Sequence, residues 1–158
     1  MILFYNIIIV GDKMKIGIAS DHHGLDKIEE ITKFLEKNGY EVENYCPNES
    51  DSTDYPKYAF TVSNAVVEGK VDRGILMCGT GIGMSIAANK VKGIRCARIA
   101  SVEDAALSAE HNHANVIAFS AHLPMDLIKE MILTYLNKEP SQEERHVRRV
   151  NMIDEYNG

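Results

Sequence analysis

Arg73-Gly-Ile-Leu-Met-Cys-Gly-Thr-Gly-Ile-Gly-Met-Ser-Ile-Ala-Ala-Asn-Lys90 is the stretch on which the fold turns. A short apolar run, Arg73 to Met77, reads as a strand covered on both faces. A glycine loop, Gly79 to Gly83, follows it, and Met84 to Lys90 continues as a helix. Strand, glycine loop and helix in that order form half of a strand–helix–strand unit.

The same alternation extends both ways along the chain. Strands are expected at 15–20, 41–45, 73–77, 94–99 and 115–119. Helices are expected at 25–37, 58–68, 84–90, 102–110 and 125–137, the first with Ile28, Ile31, Phe34 and Leu35 on one face and Asn38-Gly39 as its stop. Five strands each followed by a helix predict an α/β three-layer sandwich with a five-stranded parallel sheet, Rossmann- or flavodoxin-like. A TIM barrel needs about eight such units. After Pro140, the spacing Ser141-Gln-Glu-Glu144 predicts a capping box and a last helix to about Glu155. That helix carries Arg145, His146, Arg148 and Arg149, a basic arm to be laid over another subunit or over a site.

The chain has 158 residues, 45% apolar and 25% charged, enough for one domain with its own core. Lys and Arg number 17 against 23 Asp and Glu, a net charge of −6 with a pI near 5.5. This balance argues against nucleic acid as a partner, while one basic pocket still suits a small anion. Residues 1–13 read as an N-terminal extension, from an upstream start or from residues added in cloning, because Met14 stands directly before a good strand. The rival reading is an extra strand or an oligomer contact. The apolar run at its head is too short for a bilayer, which needs ~20 residues, so no membrane is expected. Residues 14–158 form the single domain, with 138–158 as its C-terminal helical arm. Cys46, Cys78 and Cys96 are odd in number, widely spaced and without a CxxC, which fits reduced thiols in the cytoplasm.

Three groups stand at element ends. Asp21-His22-His23-Gly24 follows the first strand and Cys78–Gly83 the third, so both lie at the carboxyl edge of the sheet, where such folds bind ligands. His111-Asn112-His113 closes a helix and falls at the opposite edge, which implies a separate role or a site completed by a neighbouring chain. Gly79, Gly81 and Gly83 expose backbone N–H groups to an oxyanion or a phosphate, unless the loop is only a tight turn. Neither a dinucleotide fingerprint nor a Walker A loop is present. Cys78, at a helix start, has the surroundings of a reactive thiol, whereas Cys46 and Cys96 read as buried and inert. Arg145 and Arg149, one turn apart, are placed to grip one phosphate unless they form only a solvated face. The histidines lack the spacing of a metal site.

Together, Asp21-His22, Thr53-Asp54-Tyr55-Pro56, Cys78-Gly-Thr-Gly-Ile-Gly83, Ala87-Ala-Asn-Lys90, His111-Asn112, Asn115-Val116 and Arg145-His146 with Arg149 resemble the B-type ribose-5-phosphate isomerases. That family also holds the galactose-6-phosphate isomerase subunits. The resemblance spans nearly the whole chain from Met14. It implies interconversion of ribose 5-phosphate and ribulose 5-phosphate through an enediolate, with no metal and no cofactor. It implies Cys78 as base, His111 as ring-opening acid, and Thr80 and Asp21 as helpers. It further implies Asn112 on the sugar, Gly79, Gly81, Ile82 and Gly83 on the oxyanion, Tyr55 lining the pocket, and His22, Arg145 and Arg149 on the phosphate. Sites shared across a homodimer follow, with pairing of dimers into tetramers left open. Departures are His122, a substrate-side position where the family commonly has Arg, a second His at His23, and no evident Lys further along the first helix. An isomerase of a six-carbon sugar phosphate, allose or galactose 6-phosphate, and a non-catalytic sugar-phosphate sensor are the alternatives.

Overall fold

A computed structural model describes residues 13–46 and 54–156. The strands are β1 (Lys15–Ser20), β2 (Glu41–Asn44), β3 (Arg73–Cys78), β4 (Cys96–Arg98) and β5 (Val116–Ser120). The helices are α1 (Leu25–Lys37), α2 (Tyr55–Val67), α3 (Ile82–Ala88), α4 (Val102–Glu110), α5 (Met125–Asn137) and α6 (Glu144–Glu155). All strands are parallel, in the order β2-β1-β3-β5-β4. The expected three-layer α/β sandwich is therefore present. The proposed extension falls almost wholly on residues 1–12, outside the described residues.

Burial along the strands follows their position in the sheet. The central strands β1, β3 and β5 are buried at nearly every residue, whereas the edge strand β2 is mostly exposed and the edge strand β4 is half-covered. One layer of the core packs Ile28, Ile31 and Leu35 of α1, Ala105 and Ala109 of α4, and Ile128, Met131 and Ile132 of α5 against Ile16, Ile18, Ile75, Ile117 and Phe119. The other packs Ala59 and Val62 of α2 and Met84, Ala87 and Ala88 of α3 against Ala19, Leu76, Val116 and Ala118. Alternate residues of one strand thus point into different layers, as strand geometry demands.

Several boundaries differ from the sequence expectation. Helix α2 begins at Tyr55 rather than Tyr58, because Pro56 sits in its first turn, where its missing N–H costs nothing. Helix α3 begins at Ile82 rather than Met84, straight from the loop. The apolar run 94–99 contributes only Cys96–Arg98 to the sheet, since β4 pairs on one side only, with β5. The capping box does not form. Glu143 is the N-cap of α6, and the Ser141 hydroxyl instead accepts the Glu143 N–H at 3.2 Å and lies 2.8 Å from His146 Nδ1.

Helix α6 lies on its own chain at the amino edge of the sheet. Val150 and His146 are buried, Arg95 Nη1 donates to both Asp154 carboxylate oxygens at 2.7 and 2.8 Å, and the Ser141 N–H donates to the Glu110 carbonyl. Its other face, with Met152 and Ile153, stays exposed.

In the core behind this edge, the Tyr135 hydroxyl donates to the Ala114 carbonyl at 2.8 Å, fully buried. Tyr135→Phe removes the donor, keeps the ring, and leaves a buried carbonyl unpaired. We expect it to lower the unfolding free energy by about 1–3 kcal/mol. Urea denaturation checks this, and an unchanged midpoint would refute the pairing.

Candidate active site

Adjacent β1, β3 and β5 place three connecting loops side by side at the carboxyl edge: Asp21–Gly24, Gly79–Gly81 and Ala121–Pro124. Their mutual contacts are specific. The Ala121 N–H donates to the Cys78 carbonyl at 2.8 Å, and the Ser120 hydroxyl to the Gly79 carbonyl at 2.8 Å. Lys27 Nζ donates to the carbonyls of Ala121 and Leu123, clamping the turn that carries His122. His23 packs across Gly79, and its ring lies 3.9 Å from His22 and 5.7 Å from His122, centroid to centroid.

The glycine loop is tied down through its own backbone. Gly81 has φ +76°, and a Cβ there would come within 2.7–2.9 Å of the Phe119 backbone. A glycine is required on both counts. A Cβ at Gly83 would meet the Tyr55 ring at 2.5–2.8 Å, so Tyr55 lies directly on the start of α3. The Gly81 N–H donates to Cys78 Sγ at 3.1 Å and the Ile82 N–H to Thr80 Oγ1 at 3.2 Å. Cys78 is only 5% exposed and packs in the second core layer, so this strand-end position is more buried than its sequence position implied. Asp21 is buried too, and its carboxylate accepts the His23 backbone N–H at 2.9 Å and His23 Nδ1 at 3.0 Å.

His111 and Asn112 sit at the opposite edge, just beyond α4. The His111 ring stacks on His146 at 4.3 Å. Burial first, then the neighbouring His111 imidazole and the Arg145 guanidinium, hold the His146 pKa below its usual value. Arg145 pairs with Glu143 at 2.9 Å and Arg148 with Glu144 at 3.4 Å, while Arg149 has no ion pair among the described residues. His113 is structural: its φ is +47°, its Nε2 lies 2.8 Å from the Ser141 carbonyl oxygen, and its own carbonyl accepts Arg95.

The candidate residues therefore form two groups. Asp21, His22, Tyr55, Cys78, Gly79, Thr80, Gly81, Ile82, Gly83 and His122 share one edge; His111, Asn112, Arg145 and Arg149 share the other. One chain does not bring them together. Sequence reasoning missed Lys27, Ser120 and Arg98, whose Nε donates to the Thr80 carbonyl at 3.1 Å. Lys27 has a faint signal, as a cation in the first turn of a helix where an acid is usual. Among the described residues no helix is long and apolar enough to cross a membrane.

Such an edge is where doubly covered parallel sheets take up small ligands, and the class defined is an α/β domain with a thiol beside a glycine loop at that edge. Residues 16–153 match the family described as Ribose/Galactose Isomerase. Ribose-5-phosphate isomerase B of Escherichia coli is 41% identical over 140 residues, 88% of this chain and 93% of that protein. D-erythrulose-4-phosphate isomerase of Pectobacterium atrosepticum is 39% identical over 128 residues, 80% of this chain and 84% of that one. The structure of Clostridium thermocellum ribose-5-phosphate isomerase B superposes with a TM-score of 0.85 at 46% identity, covering 90% of this chain and 96% of that one. Ribose-5-phosphate isomerase B of Mycoplasma genitalium, solved with bound ribulose-5-phosphate, gives 0.84 at 37% identity, over 89% and 94%. The chain belongs to the ribose/galactose isomerase family, and is a sugar-phosphate isomerase of that family.

The three thiols differ in a way that labelling can read. Burial pushes the Cys46 thiol up to about 11 and the Cys96 thiol up to about 12. A raised thiol pKa means less thiolate in the folded state. At pH 8 both therefore stay largely in the protonated, unreactive form. Both are expected to resist iodoacetamide in native protein and to label after unfolding, as followed by peptide mass spectrometry. Native labelling at the rate of an exposed cysteine would contradict this.

Proposed function

We propose that the chain interconverts ribose 5-phosphate and ribulose 5-phosphate, in the cytoplasm and without a metal or cofactor, at sites shared between two copies. The observation that carries this reading is the division of the candidate residues. The thiol and its glycine loop stand at one sheet edge, and the imidazole with the arginines stands at the other. A two-fold dimer, in which one chain's amino edge meets its partner's carboxyl edge, makes two complete sites from two incomplete ones.

The chemistry follows from the groups. His111 of one chain donates a proton to the ring oxygen as the furanose C1–O bond breaks and the C1 hydroxyl gives up its proton to water. The Cys78 thiolate of the other takes the proton from C2. The electron pair moves into the C1–C2 bond, and negative charge develops on O1. Amides of Gly79 and Gly83 face that oxyanion, and those of Gly81 and Ile82 turn to it from Cys78 Sγ and Thr80 Oγ1 as the thiolate takes up its proton, since fixed donors act most strongly there. Cys78 then returns the proton at C1 while the O2 hydroxyl proton passes to O1, leaving the carbonyl at C2. Thr80 and Asp21 help at the ring oxygens, Asn112 holds the sugar, Tyr55 lines the pocket, and His22, His122, Arg145 and Arg149 take the phosphate. Arg149, unpaired among the described residues, is the freest of these cations.

A six-carbon substrate is the second reading. His122 favours it, because an imidazole reaches less far than the guanidinium common at that position and leaves room in the phosphate pocket. A panel of ribose 5-phosphate, allose 6-phosphate and galactose 6-phosphate, each with EDTA, separates the two. Preference for ribose 5-phosphate is expected, and turnover of none would overturn the enzyme reading.

Cys78→Ala is expected to lower kcat by about 10²–10⁴, the usual worth of a positioned base, with the fold retained. His111→Ala should impair the cyclic substrate more than an open-chain analogue. Mixing the two inactive chains in equal amounts should restore about a quarter of wild-type activity, since half the dimers carry one intact site of two. No recovery after confirmed subunit exchange would rule out the shared site.

A further inference from the structure

His23 has no part in the isomerisation, yet it stands among groups suited to hold a metal ion. Asp21, His22 and His23 each bring one candidate ligand atom within 4.8 Å of the other two. Asp21 Oδ2 and His23 Nδ1 are 3.0 Å apart, close to the roughly 3.3 Å between two ligands on one tetrahedral ion with ~2.0 Å bonds. His22 Nδ1 is buried and has no hydrogen-bond partner among the described residues. His122 meets the edge of the His23 ring from a different segment, on the turn that Lys27 clamps.

A purely structural role accounts for part of this. The Asp21–His23 pair stiffens the turn after β1. It leaves the buried His22 Nδ1 without a partner and the His122 imidazole beside His23, two groups that the proposed function uses on the phosphate and that an ion would use instead. Sequence spacing could not show the cluster, because His122 is about a hundred residues from the other three and joins them only through the adjacency of β1, β3 and β5.

We infer that Asp21, His22 and His23, with His122 turning in as fourth ligand, bind one divalent transition-metal ion of the zinc class, and that this ion excludes the sugar phosphate. Imidazoles with one carboxylate suit zinc, whereas calcium and magnesium prefer all-oxygen sets. Binding through His23 Nδ1 replaces its hydrogen bond to Asp21 Oδ2. The exclusion rests on the function proposed above, since the ion occupies Asp21 and His22; the binding itself does not. The ion is an inhibitor here and supplies no step of the reaction.

Cobalt(II) is the probe, titrated into the metal-free full chain and followed by visible absorption. The expected result is one equivalent per chain with the intense bands of four-coordinate cobalt, displaced by zinc. His122→Ala, on an exposed turn, should weaken binding about tenfold or more, as should His23→Ala once circular dichroism confirms its fold. Cys78→Ser should retain the site, because no thiolate is among the ligands. Less than one equivalent, binding indifferent to both histidine changes, or loss in Cys78→Ser would overturn it. Zinc should inhibit turnover competitively with the sugar phosphate, and EDTA should relieve the inhibition. Cobalt bound with turnover unaffected would refute the exclusion. A chain that binds cobalt but turns over no sugar phosphate would refute the proposed function and leave the metal site standing.

Discussion

Gly81 lies against the backbone of Phe119 with no room for a side chain between them. That contact depends on β5 being the neighbour of β3, and the geometry of the carboxyl edge depends on the contact. It lowers the loop onto the sheet, turns the Gly81 N–H onto Cys78 Sγ, and starts α3 at Ile82 under the Tyr55 ring. The Ala121 N–H and the Ser120 hydroxyl then seal the loop to β5. A sheet with β4 between β3 and β5 would have none of these contacts.

Chain direction separates the remaining candidate groups. A helix returning across a parallel sheet delivers its C-terminal residues to the amino edge, so His111 and Asn112 emerge far from Cys78. Helix α6 is fastened beside them by Arg95–Asp154 and by the Ser141–His146 contact, which puts Arg145 and Arg149 with His111. Acidic overall, the chain gathers Arg145, Arg148 and Arg149 at this edge. Topology thus divides the candidate residues between two edges, and the proposed shared site rests on that division.

Much of this was legible in residues 73–90 and in the alternation around them. Strand and helix types were readable because apolar periods of two and of 3.6 differ over runs this long. Boundaries were less so. Pro56 reads equally as a loop residue or a first-turn residue, and Ser141 reads as a cap until His146 takes its hydroxyl. Lys27 was invisible as a clamp because its partners are backbone carbonyls, which leave no mark on sequence.

The sequence by itself determined the alternating α/β plan, the glycine loop behind Cys78, and the separation of His111 from it, since chain direction alone assigns each loop to an edge. Only the tertiary structure decided which loops become neighbours. Strand order follows from how whole helices pack on two faces, and no local pattern encodes it. For that reason the meeting of His122 with His22 and His23, the burial of Cys78 and the tie between Lys27 and the Ala121–Leu123 turn emerged only once β1, β3 and β5 stood side by side.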